Sequence, residues 1–251
     1  MRIASRRLLP AAMVLACARI ASGQTADDVI EKHLAALGGR TAITKLTSRS
    51  LAGTMTFSTP AGDVPGTIEI INQPPNKVRA VTKLDLSSQG VGVVVVEQRF
   101  DGTSGYALDS IRGNRDITGN QLENLKNTVF PSPYLNYKER GVTIDLGEKE
   151  KVNGRDAYVL IVKPKSGSIS RQFIDAESYL SVRLVLKLDV PEVGEVEQTT
   201  EFSDYREVDG VKIPFAIRVT SALQNFSISV TKVEHNVKVD EALFSKPASS
   251  K

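Results

Sequence analysis

Leu180, Val182, Leu184, Leu186 and Leu188, interleaved with Ser181, Arg183 and Lys187, repeat with a period of two. Alternation of that kind turns every second side chain to one face, which suits a half-buried β-strand and no helix. The pattern recurs along the chain. Leu51, Gly53, Met55 and Phe57 alternate with Ala52, Thr54 and Thr56; Ile68 and Ile70 follow; Val78, Ala80, Leu84 and Leu86 stand against Arg79, Lys83 and Asp85. Val93 to Phe100 reads as a further strand, and others are expected near 142–150, 155–163, 169–174, 180–188, 195–204, 211–220 and 225–235. Charge on one side of each strand implies an antiparallel sheet with one wet face. Asp101-Gly102, Asn153-Gly154 and Asp209-Gly210 tolerate the positive φ of tight hairpin turns, so the strands read as a meander. Pro60 to Gly66 and Gln73 to Asn76 are expected to be longer loops.

Helical spacing is confined to short stretches. Ala26, Val29, Ile30, His33, Leu34 and Leu37 define one helix, with Thr25 or Asp27 as its cap and Gly38-Gly39 as its end. A second, short helix is expected from Arg40 to Leu46, and a third from Gly119 to Phe130, stopped by Pro131 and Pro133. Asp240 caps a final helical turn. The fold class is therefore α+β: a large, curved antiparallel sheet with a few covering helices. A sheet of about a dozen strands tends to curl, and one that curls part-way needs its apolar face covered.

Residues 1–23 have a different character. Arg2, Arg6 and Arg7 precede an apolar run, Leu8 to Ala18, and the small residues Ala21-Ser22-Gly23. That is the order of a secretory signal peptide, too short for a membrane span and interrupted by Pro10 and Arg19. The chain is thus expected to comprise a leader, 1–23, and one β domain, 24–251, exported to the periplasm with no transmembrane segment once the leader is removed. Val14-Leu15-Ala16-Cys17 offers a second reading, a lipobox that would anchor the protein through Cys17, and Arg6-Arg7 hints at a twin-arginine export route.

The leader holds four of the 32 basic residues and none of the 29 acidic ones, so the remainder carries 28 against 29, a net charge of −1. No basic run interleaved with aromatics remains, which gives nucleic-acid binding no support. Cys17 is the only cysteine, so residues 24–251 have no disulfide, thiol nucleophile or thiolate metal site.

Little in the sequence points to catalytic chemistry. His33 sits within the first helix as a packing or surface residue, and His235, in Glu234-His235-Asn236, ends the last strand in what reads as a solvated turn. Neither has a partner at metal-ligand spacing. Asp204, Glu207 and Asp209 surround a hairpin turn, where such residues are expected. Glu195, Glu197 and Glu201 share the wet face of a strand. Asp101 to Gly105 lacks the lysine of a phosphate loop. No catalytic residue, metal site or cofactor is expected, and the chain reads as a non-enzyme. What remains is apolar surface: Met55, Phe57, Ile68, Ile70, Leu84, Leu86, Leu184 and Leu186 line the inner face either as plain core or as the wall of a cavity.

Three segments resemble a known group. Ala26 to Gly39, Phe202 to Phe215 (FSDYREVDGVKIPF) and Val239 to Pro247 (VDEALFSKP) are similar to exported bacterial proteins of the lipoprotein-carrier (LolA/LolB-like) superfamily, and the middle segment is the most specific. The resemblance spans nearly the whole of 24–251, although this chain is longer than the dedicated carrier. It implies an unclosed β-barrel whose concave apolar face is covered by helices. It also implies a partner in the acyl chains of lipids or lipoproteins, and it brings no catalytic residue with it. Three functions stay open: a periplasmic carrier or sensor of acyl chains, an envelope interaction domain that binds a protein partner and no lipid, and an undetected hydrolase.

Overall fold

The computed structural model describes residues 23–190 and 193–247. The charged and apolar parts of the expected leader, with Cys17, lie outside the described residues. Within them the strands are β1 (Arg49–Thr59), β2 (Gly62–Gln73), β3 (Lys77–Leu86), β4 (Gly92–Phe100), β5 (Gly105–Asp109), β6 (Arg115–Ile117), β7 (Thr143–Leu146), β8 (Glu150–Val152), β9 (Arg155–Lys163), β10 (Ser170–Asp175), β11 (Ser181–Val190), β12 (Gly194–Val208), β13 (Val211–Ser221) and β14 (Asn225–His235). The helices are α1 (Ala26–Ala36), α2 (Arg40–Thr44) and α3 (Gly119–Lys126). All strand pairs are antiparallel, in the order β6-β5-β4-β3-β2-β1-β14-β13-β12-β11-β10-β9-β7, with β8 beside β9. The first and last strands pair, which joins two meanders into one sheet. The end strands β6 and β7 do not meet, so the sheet curls without closing.

Turn chemistry sets much of this order. Asn153-Gly154 and Asp209-Gly210 both take positive φ at both positions, as a two-residue hairpin requires. Asp101 builds a longer turn, its carboxylate accepting from the N–H groups of Thr103 and Ser104 at 2.8 Å. The expected loop Pro60 to Gly66 is instead mostly strand: the turn is Pro60-Ala61, and β2 starts at Gly62. Pro65 pairs with Thr56 on β1 but lies beyond the β3 pairing, which runs only from Gly66. A strand that is an edge at that point tolerates a residue without an N–H. The expected strand 142–150 divides into β7 and β8, both laid against β9.

α1 starts where the capping residues dictate. The Thr25 hydroxyl accepts from the Asp28 N–H at 3.2 Å, and the Asp28 carboxylate accepts from the Thr25 N–H at 2.9 Å. Val29, Ile30, His33 and Leu34 form its buried face, packed with Ile43 of α2 against Tyr158, Leu160, Ile174, Val211 and Ile213 of the sheet. Past the helix, Gly38 (φ 125°) lies directly on the β12–β13 turn: a Cβ there would stand 2.0 Å from the Gly210 carbonyl oxygen. The Lys212 N–H also donates to the Leu37 carbonyl at 2.8 Å.

α3 is shorter than expected and ends at Lys126, with Asn127 as its C-cap, so Val129 falls in the irregular segment beyond it. Leu125 of α3 packs on Val78, Phe100, Ala107 and Ile117, covering the inner face of the first meander. Ala157 to Leu160 of β9 are buried on both faces, because Val152 of β8 joins Ala157, Val159 and Phe173 in a cluster on the outside.

Candidate functional site

On the inner face of the second meander, two rows of side chains run across the strands in register. One is Leu146, Leu160, Gln172 and Leu184; the other is Ile144, Val162, Ser170 and Leu186. Segment 127–142 lies over these rows. It is held from one side by Phe130, Tyr134 and Tyr137, which are buried in the core that α1 also enters. The Tyr137 hydroxyl donates to Asp27 at 2.5 Å, and Lys138 pairs with the same carboxylate at 2.6 Å. On the other side Asn124 accepts from the Ser168 N–H at 2.8 Å, and Asn127 donates to the Ser166 carbonyl at 2.7 Å.

The cover does not seat fully on the sheet. A cavity of about 330 Å³ remains, walled by Ile144, Val162, Leu184 and Leu186 below and by Val129, Pro133, Tyr134 and Val142 above. Ser170, short and in the row between Val162 and Leu186, leaves space where a larger residue would fill it. Small-molecule sites span roughly 300–1,000 Å³, so this volume is that of a single slender ligand. Arg140 stands at the cavity and donates to the carbonyls of Pro133 and Leu135; burial lowers its pKa.

Pro133, Tyr134 and Gln172 also wall a second cavity of about 200 Å³, beneath α1 and α2, lined by Leu37, Ile43, Val211 and Ile213. Arg49, the first residue of β1, also lines it, as do the polar side chains of His33, Ser132, Ser181, Tyr205 and Lys212. Arg49 shares a row with Asn72 on β2 and His235 on β14. Its guanidinium donates to Asn72 at 3.0 Å and lies 5.4 Å from the centre of the Phe130 ring, while its Nε is buried with no partner. Desolvation holds its pKa down to about 10, still well above neutrality. Burial pushes the Tyr134 and Tyr205 phenols up, so both are neutral donors; the Tyr205 hydroxyl donates a hydrogen bond to the Ser181 carbonyl at 2.8 Å. A wider depression of about 420 Å³ lies on the outer face, but Arg155, Asp175, Glu201 and Arg218 line it, so it is no place for an apolar ligand.

Of the residues expected from sequence, Leu184 and Leu186 line the larger cavity. Met55 and Ile68 do not reach it: they pack with Leu51, Ile228 and Val230 across β14, β1 and β2, with Phe57, Ile70 and Leu84 against the same cluster. Leu86 is half-buried at the end of β3. Ile144, Val162, Tyr134 and Arg49 were not singled out by sequence. Arg49 could have been, since it shares the inward parity of Leu51, Gly53 and Met55.

The histidines are both enclosed. His33 is buried, its Nδ1 donating to the Tyr179 carbonyl at 2.7 Å and its ring edge-on to Tyr134. His235 is not in a solvated turn as expected: its side chain is fully covered, with Nδ1 3.2 Å from Asp209 and Nε2 without a partner. Burial lowers the pKa of each. Glu195 and Glu201 pair with Lys187 and Arg183, and Asp204 with Arg206. Among the described residues no group of three metal-ligating side chains gathers, and no helix is long and apolar enough to cross a membrane.

No protein-family model and no curated protein matches the sequence. Solved structures do match the fold. A DUF1329 family protein from Desulfovibrio piger aligns with a TM-score of 0.56 at 13% identity, covering 87% of this chain and 96% of its own. A domain described as an outer membrane lipoprotein-sorting protein, from Vibrio parahaemolyticus, aligns at 0.56 and 12% identity, covering 86% and 94%. A LolA superfamily protein from Nitrosomonas europaea aligns at 0.56 and 12%, covering 89% and 98%. The open antiparallel sheet with covering helices is therefore the LolA-like fold.

Proposed function

We propose that this chain is a non-enzymatic binding protein for the acyl chains of lipids or lipoproteins, acting in the periplasm. The observation that carries this reading is the cavity of about 330 Å³ between the inner face and segment 127–142, with apolar side chains on both sides and Asn124, Asn127, Arg140, Ser168 and Gln172 among its polar members. Each methylene removed from water contributes about 0.8 kcal/mol, so a slender apolar chain is the ligand such a space favours. Two fold neighbours are described as a lipoprotein-sorting protein domain and a LolA superfamily protein, which agrees with the reading. So does the signal-peptide pattern of residues 1–23. Native mass spectrometry of the protein purified from a bacterial envelope tests it. A lipid adduct that is lost on delipidation and regained on adding fatty acid is expected. A protein that carries no lipid and takes up none would refute it.

One observation favours an envelope interaction or sensor domain as the second reading. Val91, Val93, Ile111, Ile169, Val193 and Leu223 are exposed, and the antiparallel order brings all of them to the same end of the sheet, at or beside hairpin turns. Loss of an envelope partner from a Val91→Ser, Val93→Ser variant that still binds lipid would support that role alongside the first.

A further inference from the structure

We infer that Arg49 is the anchor for an anionic head group, so that the ligand is a single aliphatic chain ending in a carboxylate or phosphate. This rests on the acyl-chain reading above and adds to it the chemistry of the ligand's other end.

A guanidinium taken out of water costs several kcal/mol unless a counter-charge and hydrogen bonds offset it. Arg49 has one hydrogen bond, to a neutral amide, and one aromatic face. Among the described residues it makes no ion pair, although comparable cations on the outer face, Arg79 and Arg99, share Glu97 at 2.6 Å. The groups packed around it supply no close negative charge. His235, its pKa lowered by burial, is neutral at pH 8, the carboxylate of Asp209 is engaged with its Nδ1 at 3.2 Å, and Asn72 is uncharged. The unpaired Nε therefore belongs to a half-buried cation, its Nε enclosed, on a cavity that it lines together with Lys212 and apolar side chains such as Leu37, Ile43 and Ile213. Arg140, at the larger cavity, also has an enclosed Nε without a partner, but its guanidinium already donates to the carbonyls of Pro133 and Leu135.

The position suits a head group. The cavity at Arg49 and the larger one beneath segment 127–142 share the wall formed by Pro133, Tyr134 and Gln172. A chain in the larger cavity would reach Arg49 past these side chains, with Gln172 and the neutral Tyr134 hydroxyl as donors along the way. Arg presents a planar fork that matches a carboxylate or phosphate with two parallel hydrogen bonds, which a neutral hydroxyl cannot exploit.

Displacement of a fluorescent fatty acid at pH 8 by dodecanol, dodecanoate and dodecyl phosphate tests this with the whole protein. Wild type is expected to prefer one or both anions over the alcohol by roughly 10- to 100-fold, the range a charge-assisted hydrogen bond provides. The preferred anion then separates a free fatty acid from a phosphate-bearing lipid. In Arg49→Met the preference is expected to collapse to near unity; in Arg49→Lys, which keeps the charge without the fork, it is expected to shrink. Equal affinity for all three in wild type would overturn the anchor without any variant being needed, as would a preference that survives in Arg49→Met; either leaves the acyl-chain reading standing. Failure of all three to bind would overturn both.

Discussion

Leu184→Asp separates an open cavity from a packed core. Leu184 is half-buried on β11 and faces the space beneath segment 127–142, whereas Leu160, two strands away in the same row, is fully enclosed. A charge at position 160 has no route to water, and burying it unpaired costs enough to consume the ~5–15 kcal/mol of a typical domain. Leu160→Asp is therefore expected not to fold, and even Leu160→Ala should cost about 2–5 kcal/mol. At position 184 the new carboxylate can keep water in the cavity. The loss is then the partial burial of one leucine, about 1–2 kcal/mol, or a fall in Tm of roughly 2–8 °C for a chain of this size. Binding should respond in the opposite proportion. A chain burying about eight methylenes gains roughly 6 kcal/mol before ordering costs, and a desolvated carboxylate against it removes about 2–4 kcal/mol, or roughly 30- to 700-fold in Kd. Titration with a fluorescent fatty acid, alongside thermal melts, measures both. A Leu184→Asp variant that fails to fold, or one that binds the probe as wild type does, would refute the reasoning.

Three further outcomes follow from local geometry. Gly38→Ala should cost well over 2 kcal/mol in urea unfolding, because the new methyl meets the Gly210 carbonyl; Gly39→Ala, with positive φ but open space, should cost only about 1 kcal/mol. His33 has a depressed pKa in the fold, so the unfolded chain binds its proton more readily. Stability from this group is complete above about pH 6.5 and falls as pH drops toward the folded value, by at most about 1.4 kcal/mol per pH unit. Urea midpoints between pH 7.5 and 5.5 should show that slope, and His33→Gln should flatten it, with His235 supplying the remainder. Burial alone would raise the Asp175 carboxyl, but the N–H and hydroxyl of Ser178 and the guanidinium of Arg155 outweigh it and hold it low. Its contribution is present above about pH 4 and lost as pH falls through the depressed value, so Asp175→Asn should lower stability at pH 7 and narrow the gap from wild type at pH 3.

The period-two pattern made the face of each strand legible, because parity is a local property. Leu184 and Met55 both point inward, as their alternation implies. It could not show which inward residues would meet a packed neighbour and which would meet space. That depends on pairings between distant segments: Met55 opposite Ile228 closes one region, while Leu186 opposite Ser170 opens another. Turn residues with one mechanism, such as Asn153-Gly154, were readable; Pro65 was not, since its place at the end of a pairing is a property of β3 as much as of β2. The covering segment 127–142 was the least legible element. It has no period, and buried Tyr134 and Tyr137 position it through contacts with α1 that lie a hundred residues away in sequence. The burial of His235 was hidden for the same reason.

The central claim is that an acyl chain lies between the inner face and segment 127–142, and methyl NMR of the protein with protonated dodecanoate tests it most directly. Intermolecular NOEs are expected from the chain to the methyl groups of Ile144, Val162, Leu184 and Leu186, which wall the cavity, and none to Ile228 or Val230, which pack with Met55. Binding without those NOEs, or NOEs confined to the exposed Val91, Val93 and Leu223, would place the chain elsewhere and contradict the account.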